Sequence, residues 1–220
     1  MKKLINKFAV VLLSAISFAY ISTASAEIRV GLGYTHAGFM GEGKEVLGTA
    51  AGETTVETGA FETNSPNIFV EFAPNDSIAI GIEHLTEDMT TPENTNLQNN
   101  ANAGSDTNNT VKATFKEHNT VYVSVNLPYN FYAKAGYIMV DINTQESLAT
   151  GGSYDDVDTT GYTIGLGYHH ELDNGVFVRA ELAAAEYDDV HAVNKAESAK
   201  SVSVSEMYGA MGSIKIGKAF

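Results

Sequence analysis

The sequence predicts an all-β protein: eight antiparallel strands in up-and-down order, closed into a transmembrane β-barrel. Three observations carry that prediction. Residues alternate with a period of two through most of 27–220, with hardly any helical periodicity. One face of each strand is apolar and aromatic, while the other holds Gly, Ser, Thr and Ala with isolated charges. A soluble sandwich would bury the apolar face and turn polar residues to water; here the pairing suits lipid outside and a narrow lumen inside. Short turns also alternate with long polar connections.

The strands follow in order. In the first, Ile28, Val30, Leu32 and Tyr34 oppose Arg29, Gly31, Gly33 and Thr35. The second sets Ile68, Val70 and Phe72 against Asn67, Phe69, Glu71 and Ala73; the third sets Ile78, Ile80 and Ile82 against Ala79, Gly81 and Glu83. The fourth has Val121, Val123 and Val125 against Thr120, Tyr122 and Ser124. In the fifth, Phe131, Ala133, Ala135, Tyr137 and Met139 oppose Tyr132, Lys134 and Gly136. The sixth offers Tyr162, Ile164, Leu166 and Tyr168 against Thr163, Gly165, Gly167 and His169. The seventh sets Val176, Val178, Ala180 and Leu182 against Arg179, Glu181 and Ala183, and the eighth Tyr208, Ile214, Ile216 and Phe220 against Ser213, Lys215 and Gly217.

Three connections carry turn chemistry: 73–76 (Ala-Pro-Asn-Asp), 127–130 (Leu-Pro-Tyr-Asn) and 172–175 (Leu-Asp-Asn-Gly). The other four, about 40–65, 88–112, 143–158 and 189–201, read as long polar loops, the second an Asn/Thr-rich mobile tract. Both ends of the alternating region fall on the short-turn side, so these turns are expected to face the periplasm and the loops the exterior. Two aromatic girdles are expected: Phe72, Tyr129, Phe131, Tyr168 and Phe220 near the turns, and Tyr34, Tyr137, Tyr162 and Tyr208 toward the loops.

Residues 1–26 read as an address. Lys2, Lys3 and Lys7 precede an apolar run from Phe8 to about Tyr20, and Ala24-Ser25-Ala26 is an A-x-A cleavage signal. Two regions are therefore expected, a signal peptide over 1–26 and a barrel domain over 27–220, with cleavage after Ala26. Removing the three lysines leaves 10 basic against 27 acidic residues, a net charge of −17. That balance excludes a nucleic-acid partner, which needs a basic face. With no Cys there are no disulfides, thiolate metal sites or cysteine nucleophiles.

The segment from Ser213 to Phe220 is an alternating strand ending on an aromatic carboxy-terminus. It resembles the terminal signal of outer-membrane barrels, which implies that Phe220 is read by the barrel-assembly machinery during insertion. Across 27–220 the chain resembles the small barrels of the opacity-protein, OmpA-transmembrane-domain and OmpX group. The segments 132–137 (Tyr-Ala-Lys-Ala-Gly-Tyr) and 172–181 (Leu-Asp-Asn-Gly-Val-Phe-Val-Arg-Ala-Glu) carry most of that likeness. It implies a Gram-negative outer-membrane location, outer-membrane lipid and lipopolysaccharide as surroundings, a monomer, and no cofactor.

Catalytic signatures are weak. Lipid A deacylases of this size resemble a His-x-Ser arrangement, and none of His36, His84, His118, His169, His170 and His191 has Ser two residues on. Asp76-Ser77 offers the residue types of palmitoyltransferase barrels, but in a short turn, on the wrong side. Adjacent His169 and His170 point to opposite faces of a strand and cannot share one ion. The acidic runs Asp155-Asp156-Val157-Asp158 and Glu186-Tyr187-Asp188-Asp189 lack Ca²⁺-loop spacing; diffuse divalent bridging to lipopolysaccharide phosphates is the fuller use of such loops. No enzyme and no specific metal site are expected.

Parity places Arg29, Glu71, Glu83, Lys134, Arg179, Glu181 and Lys215 in the lumen. Eight strands enclose a space only wide enough for side chains, and buried charges there must pair. Arg29 and Glu71 fall on neighbouring strands at the short-turn end and are expected to meet. A polar, ion-locked lumen favours a structural, surface-displayed barrel. The alternative is a narrow porin or an OmpW-like conduit for small molecules, which needs a gap in strand pairing and would be helped by an apolar lumen.

Overall fold

A computed structural model describes residues 26–47, 54–100, 105–148 and 152–220. The leader read over 1–26 lies outside these residues, apart from Ala26. The strands are β1 (Glu27–Leu47), β2 (Thr54–Asn75), β3 (Ile78–Leu85), β4 (Met89–Thr90), β5 (Asn94–Asn100), β6 (Ser105–Asn126), β7 (Phe131–Ser147), β8 (Val157–Glu171), β9 (Val176–Tyr187), β10 (Val190–Val193) and β11 (Lys200–Ala219). Eight of them form the ring β1-β2-β3-β6-β7-β8-β9-β11, and β11 pairs back onto β1 from Arg29↔Ala219 to Leu47↔Lys200. The fold is therefore an eight-stranded antiparallel up-and-down barrel. β4 and β5 continue the line of β3 beside β6, and β10 continues that of β9 beside β11.

The registers fix the barrel's geometry. Following paired residues once round the ring leads from Arg29 through Glu71, Gly81, Tyr122, Gly136, Thr163, Ala185 and Gly209 to Phe39, ten residues further along β1. That stagger tilts eight strands by about 35–45° and leaves an interior that side chains fill.

The wall is inside-out relative to a water-soluble protein. Leu182 is 73% exposed, Ile164 64% and Leu32 60%, while Glu71 and Lys215 are almost fully buried. A contiguous exposed apolar surface of this extent needs a cover, and around a ring of strands that closes on itself that cover is lipid. Aromatics of the expected girdles sit on the outer face: Phe131 packs edge-on to Tyr168 (centroids 5.6 Å apart), and Tyr137 to Tyr162 (5.4 Å).

At the short-turn end the chain reverses tightly. β2 runs to Asn75, so only Asp76 and Ser77 remain outside the strands. The Asn75 side chain accepts the backbone N–H groups of Ser77 (2.8 Å) and Ile78 (3.1 Å). The register slips between Phe72 and Asn75. Ile78, expected on the lipid face with Ile80 and Ile82, is consequently buried. Between β6 and β7 a 3₁₀ turn over Pro128–Asn130 places Tyr129 (φ 63°) and Asn130 (φ 66°) in the left-handed region.

The long connections differ most from expectation. β1 and β2 stay paired out to Val46↔Thr54, and β5 and β6 from Asn94↔Val111 to Asn100↔Ser105. Much of 40–65 and 88–112, including most of the described residues of the tract read as mobile, is thus strand; β7, β8 and β11 likewise extend into 143–158 and 189–201. A hairpin standing in water keeps its backbone ladder while presenting Thr, Glu and Asn on both faces, so polar composition alone misreads it as loop.

Candidate functional site

The lumen is layered. Near the short turns, each large ring lies on a glycine of a neighbouring strand. A Cβ at Gly217 would stand 2.3 Å from the Phe177 ring, and one at Gly167 2.3 Å from that of Tyr132. Gly31 makes the same room for Phe69, and Gly81 for Tyr122. These glycines let four rings cross a narrow interior and present their faces, and the two tyrosine hydroxyls, to the charges above.

The charged side chains form three groups. In the first, the Arg179 guanidinium grips Glu71 as a fork, Nη1 to Oε1 at 2.5 Å and Nη2 to Oε2 at 2.7 Å. The Tyr122 hydroxyl donates to the same Oε1 at 2.8 Å. Arg179 Nε donates to His169 Nδ1 at 2.7 Å. An arginine nitrogen can only donate, so Nδ1 is the accepting nitrogen of His169, and Nε2 lies 3.2 Å from Glu171. Arg179 also stacks against Phe177, 4.7 Å from its ring centroid.

The second group is a closed quartet. Lys134 Nζ reaches Glu83 (2.9 Å) and Glu181 (2.6 Å), and Lys215 Nζ reaches the same two carboxylates (2.7 and 3.4 Å). Tyr132 donates to the second oxygen of Glu181 at 2.7 Å. Four strands, β3, β7 and the neighbouring pair β9 and β11, are tied together across the axis. In the third group Arg29 binds Glu27, two residues away on the same face of β1 (2.8 Å).

That last pairing departs from the expected Arg29–Glu71 contact. The two residues are register partners, but both Glu71 oxygens are already taken by Arg179 and Tyr122. Arg29 turns to Glu27 instead. Glu27 supplies a fourth acid against four bases, so these lumen charges sum to zero. Tyr122, Tyr132, His169 and Glu27 are participants that the charge pattern alone did not name; all four occupy lumen-parity positions.

Beyond the quartet the interior changes character. A cavity of about 30 Å³ is bordered by Thr35, His118, Thr120 and Thr163, and Thr35 accepts the Asn67 side-chain amide at 2.7 Å. Further toward the hairpins, Ile138, Val140, Tyr187 and Met207 form a buried apolar cluster, with Phe39 and Phe115 packed against it. Phe39, Phe61 and Phe115 stack in a row, centroids 5.3 and 5.8 Å apart. The expectation of a polar lumen thus describes only the short-turn half. The signal for the rest lies in β7, where Tyr137 to Ile142 is apolar on both parities apart from Asp141.

His170 is exposed at the rim, apart from the lumen-facing His169. In the acidic hairpins Asp155 binds Lys195 (2.6 Å) and Asp188 accepts the Thr160 hydroxyl (2.5 Å). No group of three or more metal-type ligands occurs among the described residues. At the chain terminus, Phe220 exchanges backbone hydrogen bonds with Ile28 (3.0 and 3.3 Å), and Lys218 bonds the Asn174 carbonyl beside it.

No protein-family model and no curated protein matches the chain. Solved structures do. The outer membrane protein OprG from Pseudomonas aeruginosa is 14% identical with a TM-score of 0.57, the match covering 90% of this chain and 97% of that one. The outer membrane protease OmpT from Escherichia coli is 9% identical with a TM-score of 0.52, covering 90% and 99%. At these identities the likeness concerns architecture, and the architecture of this chain is that of the outer-membrane β-barrels.

Proposed function

We propose that the protein is a bacterial outer-membrane barrel with a sealed lumen and a structural, surface-displayed role in the envelope, without catalytic activity. One observation carries this reading: the Arg179–Glu71 fork and the Lys134–Glu83–Lys215–Glu181 quartet span the lumen at membrane depth. A through-pore needs mobile or unpaired lining charges and a wet axis, whereas here each carboxylate is held by a cation and packed among aromatic rings. The same pairing argues against a catalytic base in this half of the lumen, since Glu71, Glu83 and Glu181 are each held by a cation. Outer-membrane lipid and lipopolysaccharide are the expected surroundings, with Phe220 offered to the assembly machinery.

Two measurements test this. In planar bilayers the purified protein should give no steady single-channel openings; large, steady openings would overturn the sealed reading. The orientation follows from hairpin length. Because the chain has no Cys, a single introduced thiol is a clean reporter. On intact cells Thr91→Cys should react with an impermeant maleimide and Asn174→Cys should not, and the reverse pattern would sink the topology.

A further inference from the structure

The apolar half of the lumen is open in a way that the ionic half is not. A cavity of about 580 Å³ lies beyond the quartet, walled by Phe39, Phe61, Phe115, Met89, Met207 and Tyr187, a size within the range of small-molecule sites, about 300–1,000 Å³. The wall beside it lacks a ladder. β2 pairs with β3 only from Asn75↔Ile78 to Asn67↔Leu85. Further out, Thr55–Asn64 pairs with β1 alone, while β4 and β5 pair with β6 alone. The ladder ends for a local reason: the Pro66 carbonyl accepts Thr86 N–H at 2.9 Å, but Pro66 has no N–H to return. Ser65 and Glu87 close the contact through the serine hydroxyl. The cavity reaches this seam, touching Ala60 on β2 and Pro92 after β4.

We propose that this cavity is a binding site for an uncharged apolar molecule, a medium-length aliphatic chain or a two-ring aromatic, admitted through the seam between β2 and β4. The polar groups at its floor are already satisfied: His118 Nε2 bonds the Tyr187 hydroxyl (3.1 Å), and Thr159 donates to the Asp188 carbonyl (2.8 Å). The charged side chains on its lining, Glu57 and Lys112, belong to the hairpin end, so a charged ligand end buried at the floor would find no counter-charge there, which disfavours it strongly. Methionine and phenylalanine walls adapt to irregular apolar shapes. The site is closed on the inner side by the quartet, so it is a cup rather than a channel, and it stands whether or not the barrel serves the role proposed above.

The occupant comes from one of two sources, an acyl chain of a neighbouring lipid or a free apolar solute. Methyl-¹³C methionine NMR on the mature chain in lipid nanodiscs separates them. Met89 and Met207 line the cup, while Met139 faces lipid. Titrating naphthalene or decane should shift the Met89 and Met207 signals saturably, with only a linear drift at Met139. Gly59 lines the cavity, and a Cβ there has nothing within 4 Å, so Gly59→Leu should fold, leave the Met139 signal unchanged, and weaken the saturable response at least tenfold. Gly43→Leu, whose Cβ would meet nothing closer than 3.6 Å, provides a second variant. A nitroxide placed on the lipid acyl chains identifies lipid as the occupant if it broadens Met89 and Met207 before any probe is added. If it does not and the probes still saturate, the occupant is a free solute. Parallel drift at all three methionines, or wild-type binding by both leucine variants, would overturn the proposal.

Discussion

Arg179→Met is expected to lower the unfolding free energy of the barrel by about 3–5 kcal/mol, the usual consequence of stripping one partner from a buried ion pair. The residue is the most connected in the lumen. It holds both oxygens of Glu71, donates to His169, and lies against Phe177, Phe69 and Tyr132. Without it Glu71 keeps the Tyr122 hydroxyl but loses its cation, at a site about 1% exposed. The double variant Arg179→Met/Glu71→Leu discriminates between charge and volume. Replacing a whole buried pair by apolar groups of similar size is often neutral or better, so the double variant should recover most of the loss. Denaturant titrations in lipid vesicles give both values, and a double variant no more stable than the single one would show that packing, and not the uncompensated carboxylate, sets the effect.

The parts of this arrangement that were legible in the sequence are those that depend on a period of two. Parity alone separates Ile164, Leu166 and Leu182 from Gly165, Gly167 and Ala183, and it does so without knowledge of which strands meet. Cross-lumen partners are a different matter. Glu71 and Arg179 stand 108 residues apart, and they face one another because the barrel closes with a stagger of ten residues. No local pattern encodes that stagger; it emerges from the sum of all eight registers. Neighbouring-strand adjacency is the nearest substitute, and it misleads at Arg29, whose register partner Glu71 is already engaged. The apolar cup was hidden for another reason. Where lipid lies outside and an apolar cluster inside, as from Tyr137 to Ile142, alternation fades and parity carries no contrast. The seam depends on a single residue, Pro66, whose missing N–H matters only because its carbonyl points to β3.

The layering divides the work of the lumen. Toward the short turns, rings on glycines and paired charges resist deformation, since any shift of one strand would strand a buried charge. Toward the hairpins, apolar packing has no such penalty, and a gap in the wall is tolerated because the exposed backbone of β2 beyond Pro66 can be solvated. A barrel that must be tight at membrane depth can therefore still hold an open cup at one end. The closed half supports the sealed reading, and the open half supports the ligand site.

The strongest functional effect is expected from removing the cations of the quartet while keeping its carboxylates. Lys134→Ala/Lys215→Ala deletes two side chains that fill the axis and leaves Glu83 and Glu181 facing each other without a counter-ion. Two carboxylates in so narrow a space must be hydrated or bind cations, and both outcomes draw water into the volume that the lysines vacate. The variant should show steady, cation-selective openings in planar bilayers where the wild type shows none. The reciprocal change, Glu83→Gln/Glu181→Gln, leaves the lysines in place and keeps the axis filled. It should therefore be destabilised without gaining cation conductance. Anion leakage in that variant would mean that charge alone, and not the lysine side chains as a physical stopper, seals the lumen. Silence in the double-alanine variant, with the barrel confirmed as folded, would place the seal elsewhere, at the Arg179–Glu71 fork or in the rings beneath it.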